Sequence, residues 1–267
     1  MIDLHSHILP GLDDGAADLA ASLEMARLAV VDGTTVMACT PHFFPGVYDT
    51  QAGHVLSAIE SLQLEIDRAG IGLRLVCGGD VHIAPDLVGK IRRREVLTLN
   101  GTRYILIEPP HHVLPPRIES IFFDLLSAGY QPILTHPERM QWVEQKYDLI
   151  TQLWRSGVWM QLTAGAVTGA FGARAKHFSQ KILRDGMAHL VASDAHNVEA
   201  RPPGLKAAHA ALCDLVGAQE AGNLVEARPA AMLRDGQQQE IPIAYAGHVD
   251  ADTSASRNGF WRRLLRN

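Results

Sequence analysis

Short apolar runs alternate with helical stretches along nearly the whole chain, and this alternation limits the fold more than any other feature. Ile2–Leu4 and residues 34–39, 73–77, 104–107, 132–135, 158–162 and 189–192 each read as a buried strand. Between them apolar residues recur at helical spacing. Over residues 18–32, Leu19, Leu23, Ala26 and Val30 share one face, Asp18 is placed to cap the start and Gly33 to stop the helix. Further helices are predicted over 53–68, 118–126, Val143–Trp154, 174–185, 203–217 and 219–234. Strands separated by helices pair in parallel, because only a long crossover returns the chain to the same end of a sheet. The pattern fits a closed barrel or an open doubly wound sheet.

The polar residues fall at one place in this pattern. His5 and His7 follow the first strand and His42 the second. Asp80 follows the third, Glu108 the fourth and His136 the fifth; Asp194 and His196 follow the seventh. Parallel strands present all their C-terminal ends on one face, where barrel enzymes carry their active sites. These side chains, with Asp14 as a ninth member, are therefore expected to converge. Imidazole and carboxylate together suit Mn, Fe or Zn. The set exceeds the needs of one tetrahedral ion, so two or three divalent ions are expected, with a carboxylate bridging two. Paired ions hold a hydroxide nucleophile and clamp the attacking and leaving oxygens of a phosphoryl group. Singly, each residue has an ordinary explanation: a His-x-His on a strand face, a helix cap, a loop acid. Their coincidence at six of seven strand ends does not.

Composition excludes other classes. A net charge of -5 over 267 residues gives no bulk attraction to nucleic acid or anionic lipid. Three isolated cysteines suggest a reducing compartment rather than a disulfide framework. None is followed by the C-x5-R of a cysteine phosphatase. The N-terminus shows no signal sequence, and no apolar run is long enough to span a bilayer. A soluble, cytoplasmic protein is expected. Residues 244–267 are polar, then mix apolar residues with arginines, and are expected to be a flexible tail beyond a domain of residues 1–243.

The segments Met1-Ile2-Asp3-Leu4-His5-Ser6-His7-Ile8-Leu9-Pro10-Gly11-Leu12-Asp13-Asp14-Gly15, Thr40-Pro41-His42, Thr135-His136-Pro137-Glu138-Arg139, and Ser193-Asp194-Ala195-His196-Asn197 with Arg201-Pro202-Pro203 carry a resemblance. Over about residues 1–240 the chain resembles the PHP (polymerase and histidinol phosphatase) superfamily. Within it, it is most similar to the bacterial protein-tyrosine phosphatases linked to capsule or exopolysaccharide synthesis. The resemblance implies an α/β fold, a distorted (β/α)7 TIM-like barrel, holding three metals, often manganese (Mn2+). It implies one ion on His5, His7, Asp80 and Asp194, a second sharing Asp80 and adding Glu108 and His136, and a third on Asp14, His42 and His196. Arg139 and Arg201 would bind the substrate phosphate. The implied substrate is a phosphotyrosine-bearing protein, the tyrosine-rich C-terminal tail of a polysaccharide-synthesis kinase, attacked by a metal-bridging hydroxide.

The chain departs from the family at Asp80, where Glu is usual. Asp is one methylene shorter and must either draw the site inward or bridge loosely. His82 is expected to be a strand or loop residue rather than a substitute ligand. His111 and His112, in a Pro-rich loop, either line the substrate entrance or are solvent-exposed, and exposure is expected. Phe43, Phe44 and Tyr48 either flank a phosphotyrosine ring or pack among themselves. Arg92-Arg93-Arg94 reads as a solvated helix end. The competing functions are a histidinol-phosphate-type phosphatase, a metal amidohydrolase and a non-catalytic binding module. An amidohydrolase usually has a bridging Lys where this chain has Glu108.

Overall fold

The computed structural model describes residues 1–236 and Pro242. Its strands are β1 (Ile2–Ser6), β2 (Val36–Cys39), β3 (His42–Phe43), β4 (Arg74–Cys77), β5 (Asp80–His82), β6 (Tyr104–Glu108), β7 (Gln131–Thr135), β8 (Trp159–Thr163) and β9 (Leu190–Ala192). Its helices are α1 (Leu19–Asp32), α2 (Ala52–Arg68), α3 (Leu87–Arg92), α4 (Ile118–Ser127), α5 (Tyr147–Arg155), α6 (Ala164–Thr168), α7 (Gly172–Arg184), α8 (Lys206–Val216), α9 (Ala218–Gly222) and α10 (Arg228–Leu233).

The nine strands form seven staves. β2 and β3 are one stave broken at Thr40-Pro41, and β4 and β5 one stave broken at Gly78-Gly79. All pairings are parallel, in the order β1-β2-β4 and β3-β5-β6-β7-β8-β9. The ring closes where the Asp194 amide donates to the His5 carbonyl (2.9 Å) and the His7 amide to the Ala195 carbonyl (2.8 Å). The fold is therefore a distorted seven-stave α/β barrel. The second break has a steric cause. A Cβ on Gly79 would stand 2.6 Å from the Phe43 ring, and one on Gly78 2.9 Å from Thr40 and Leu99. Only glycine lets the two broken staves approach there.

Along each stave the side chains alternate. Leu4, Ala38, Val76, Tyr104, Leu106, Ile133, Trp159 and Leu190 pack together, with Met232 and Leu233 of α10 against them. Met37, Cys39, Ile105, Ile107, Leu134, Met160 and Val191 pack instead with helix residues such as Met25, Phe122, Ile150 and Ile182. Glu108 shares the parity of Tyr104 and Leu106, which carries that stave's apolar stripe up to the polar mouth. Against α10 and β9, Arg228 is fully buried, donating to Glu220 (2.6 and 2.7 Å) and to the His189 carbonyl (3.3 Å).

All seven predicted strands are present, and Asp18 caps α1 through the Ala21 amide (2.9 Å). α5 starts at Tyr147, not Val143, because Trp142 is tied to the Pro110 carbonyl (3.1 Å) and the chain turns before the helix begins. The last predicted helix is interrupted by a π-helical turn over Asn223–Ala227. Among the described residues no helix is long and apolar enough to cross a membrane. The predicted boundary at residue 243 and the tail beyond it lie outside the described residues.

Candidate metal centre

The first stave ends in a register shift between Asp3 and Ser6. Beyond it the chain folds back on itself: Ala16 donates to the His7 carbonyl (3.0 Å), and a Cβ on Gly15 would lie 2.0 Å from that same oxygen. Asp13 is brought under the turn. Its carboxylate meets His7 Nδ1 at 2.7 Å and accepts the amides of Gly15 (2.9 Å) and His42 (3.0 Å). His5 Nδ1 is held by Gln161 Oε1 at 2.8 Å. With Nδ1 engaged on both rings, the two Nε2 atoms face one point, 3.3 Å apart.

The other strand ends close around that point. His5 Nε2 lies 3.4 Å from Asp194 Oδ1 and 3.5 Å from Asp80 Oδ2; His7 Nε2 lies 3.5 Å from Asp194 Oδ1. His42 spans two sides, with Nε2 3.5 Å from Asp14 and Nδ1 3.4 Å from Asp80 and 3.3 Å from Glu108. His196 Nε2 is 3.6 Å from Asp14, and His136 Nε2 3.6 Å from Glu108. His136 and Asp194 sit at their strand ends with φ of 33° and 54°, left-handed values uncommon for residues with a side chain. All nine sequence-expected donors meet at one mouth, in overlapping groups whose ligand atoms lie within 4.8 Å of one another. His7, Asp14, His42 and His196 form one such group; His5, His7 and Asp80 form another; His5, His136 and Asp194 a third.

The electrostatics call for positive charge. Asp80 is fully buried, and among the described residues neither of its oxygens has a hydrogen-bond partner. A bare carboxylate in such a place is costly unless a cation serves it. Burial opposes protonation of the imidazoles, yet Asp194 and Asp80 hold the pKa of His5 up at about 9. Against the same burial, Asp80 and Glu108 hold His42 at about 11. Burial and Glu108 press Asp80 upward, but His5 and His42 prevail and keep it at about 2. Glu108, against its burial, is held far below the usual carboxylate range by His111, His42 and His82. Burial and Arg139 push His136 down to about 3; burial and His7 push His196 down to about 2. Ionised acids and neutral imidazoles are the forms that ligate metals, so His136 and His196 are ready to bind, whereas an ion must displace the protons that the acids hold on His5 and His42. The donor set therefore fits divalent ions.

At the rim, Arg139 and Arg201 both donate to Asp194 Oδ2, at 2.5 and 2.6 Å. The Phe171 ring lies by both guanidinium groups, 4.7 Å from Arg139 and 5.9 Å from Arg201. Arg201 Nε is buried and among the described residues has no hydrogen-bond partner. Tyr48 stacks on His42 at 5.5 Å and Phe44 on His82 at 3.7 Å. Phe43 is buried and, with Phe44, Tyr48, His82 and Lys90, lines a cavity of about 520 Å³ beside the centre.

His111 differs from its expectation as an exposed loop residue. Its Nε2 is buried 3.3 Å from Glu108 Oε1, in a donor group with Glu108 and His136. His112 is exposed as expected. His82 stays outside the donor groups, its Nδ1 3.8 Å from Glu108. Asp13 and Gln161 went unread in the sequence. Asp13 lies in the turn signal Gly11-Leu12-Asp13-Asp14-Gly15, which marks it only as a turn residue, and Gln161 has no signal beyond its place on a strand.

A family model described as "Capsular polysaccharide synthesis, CpsB/CapC" matches residues 1–234. The chain belongs to the CpsB/CapC family. Among CpsB/CapC proteins, it is 40% identical over 201 residues to tyrosine-protein phosphatase YwqE of Bacillus subtilis, covering 75% of this chain and 79% of that one. It is 27% identical over 229 residues to tyrosine-protein phosphatase CpsB of Streptococcus agalactiae, covering 84% and 94%. A solved structure from work on YwqE of Bacillus subtilis and CpsB of Streptococcus pneumoniae, described as unique metal-dependent tyrosine phosphatases, superposes with a TM-score of 0.86 at 37% identity. That match covers 89% of this chain and 96% of the other. The CpsB/CapC barrel also shares its fold, at 13% identity and a TM-score of 0.53, with a histidinol phosphate phosphatase of Lactococcus lactis, covering 83% of this chain and 95% of that one.

Proposed function

We propose that this chain is a metal-dependent protein-tyrosine phosphatase, and that its nine clustered donors hold two or three divalent ions. The observation that carries the reading is Asp80: a fully buried carboxylate without a hydrogen bond among the described residues, ringed by His5, His42 and Glu108. Relatives that share most of the chain are tyrosine phosphatases, which supports the choice of reaction. Ligand assignment follows the family resemblance, and the overlapping donor groups support it. His5, His7, Asp80 and Asp194 hold one ion; Glu108 and His136 are central to a second; Asp14, His42 and His196, with His7 near, hold a third. Mn2+ is the proposed ion. When bound, such ions supply a hydroxide nucleophile at neutral pH and neutralise phosphoryl oxygens.

The chain's own groups do the rest. Arg139 and Arg201 converge on one oxygen of Asp194, so two planar forks stand at the same edge of the cluster. Their remaining donors suit the equatorial oxygens of a phosphoryl group, which carry the transition-state charge. Asp194 holds both guanidinium groups and so sets their spacing. The ring of Tyr48, stacked on His42, offers a face for the phenyl group of the substrate. A phenolate leaves with a pKa of about 10, so it requires less protonation than an alkoxide.

The proposed partner is the tyrosine-rich C-terminal tail of a capsule-synthesis kinase, met in the cytoplasm, and the proposed catalytic unit is residues 1–243. Turnover of a phosphotyrosine peptide and of histidinol phosphate, with and without chelator, tests the reading. Chelator-sensitive release of phosphate from the peptide is expected. Preference for histidinol phosphate would make this a small-molecule phosphatase, and no turnover of either ester would overturn the enzymatic reading.

A further inference from the structure

Glu108 sits among four imidazoles. His111 and His136 approach Oε1 through Nε2, at 3.3 and 3.6 Å; His42 and His82 approach Oε2 through Nδ1, at 3.3 and 3.8 Å. Ligand atoms sharing one small ion, each about 2.0–2.2 Å from it, stand roughly 3–3.5 Å apart. The His111 contact has that span and the His136 contact lies just beyond it, and Glu108, His111 and His136 together form a donor group. Asp80 is not in that group. It lies within 4.8 Å of Glu108 in a separate group with His42, and is otherwise grouped with His5 and His7.

The position of His111 is built by the fold. After β6 the chain runs through Pro109 and Pro110 and bends at residues 111–113. The segment after β7 then pins the bend: Gln141 donates its amide to the His111 carbonyl (2.9 Å), and Trp142 donates Nε1 to the Pro110 carbonyl (3.1 Å). The His111 and His136 rings stand edge to face at 5.0 Å. His111 Nε2 is buried and, among the described residues, has no hydrogen-bond partner. A buried ring nitrogen without a partner, aimed at a carboxylate and a second imidazole, is short of one thing, a cation.

We infer that His111 is a ligand of the ion held by Glu108 and His136, filling the position that the short Asp80 side chain does not reach. The inference rests on the metal centre proposed above and adds to it a donor from outside the nine.

The test reads metal binding directly. Chelator-stripped full-length protein is titrated with Mn2+ by calorimetry, and with Co2+ by visible absorption, whose intensity reports the donor set. The variants are His111→Ala, His111→Gln, His112→Ala as the exposed neighbour, Asp80→Glu, and Asp80→Glu combined with His111→Ala. Circular dichroism confirms the fold, and His111→Gln serves if the alanine variant is unfolded. Both His111 variants are expected to weaken one ion by at least about tenfold and to change the Co2+ spectrum, with the other ions unaffected. His112→Ala should titrate as wild type. Asp80→Glu should restore the lost affinity in the His111→Ala background, because the added methylene lengthens the carboxylate's reach. Wild-type affinity and spectrum in a folded His111 variant overturn the inference but leave the metal centre standing. Absence of rescue by Asp80→Glu overturns the claim that His111 stands in for Asp80. A wild type that binds no ion overturns the metal centre itself.

Discussion

The histidines at the mouth are charged by their neighbours. The folded pKa values of His5, about 9, and His42, about 11, exceed the ordinary 6.5. In metal-free protein their contribution to stability is complete below about pH 6.5 and fades as pH rises through those values. Thermal melts in chelator should therefore show a decline above neutrality that added Mn2+ removes. Mn2+ must also displace these protons, so binding should release protons at pH 7 and strengthen toward pH 9, read by calorimetry in buffers of different ionisation enthalpy. At the rim, Phe171→Leu removes the face beside both arginines. A rise of about threefold or more in KM or in the inhibition constant of phosphate is expected, restored by Phe171→Tyr. Eight of the nine donors were legible because few residue types ligate divalent ions and these fell at strand ends, whereas Asp14 lies in the turn after β1 and was added to them as a ninth. His111 was not legible, since a histidine after Pro-Pro reads as exposed and its partners beyond Glu108 come from the segment after β7. Gln161 acts on a histidine 156 residues away, and nothing local marks that.

At the scale of elements, apolar runs revealed all seven staves, but not that two of them break and resume. Nothing local at Thr40-Pro41 or Gly78-Gly79 marks the breaks, because the close approach that demands glycine lies between staves and not along one. Gly79→Ala places a methyl group against Phe43, at the residue next to Asp80. A loss of about 1–3 kcal/mol in urea unfolding is expected, with weaker Mn2+ binding from the shift of Asp80. The short helices α3 and α6 left no readable period, being 6 and 5 residues long. The start of α5 was misread because Val143 fits the helical spacing although the Trp142 anchor holds the chain in a turn there.

In the whole molecule the two ends of the barrel have separate tasks. The end nearest α10 is sealed by apolar residues, with the buried Arg228–Glu220 pair alongside. Removing one partner strands a buried charge, so Arg228→Ala should cost about 3–5 kcal/mol in unfolding, while KM for a phosphotyrosine peptide at low temperature stays at its wild-type value. Removing residues 245–267 should leave turnover of a small phenyl phosphate intact. The mouth carries the chemistry, and the central claim is that donors from His5 to His196 share ions there. Anomalous diffraction from crystals grown with Mn2+ tests it most directly. The account requires at least two Mn peaks at the mouth, each about 2.0–2.3 Å from several of the nine donors. A mouth without Mn peaks, in crystals that keep this fold and these side-chain positions, would contradict it.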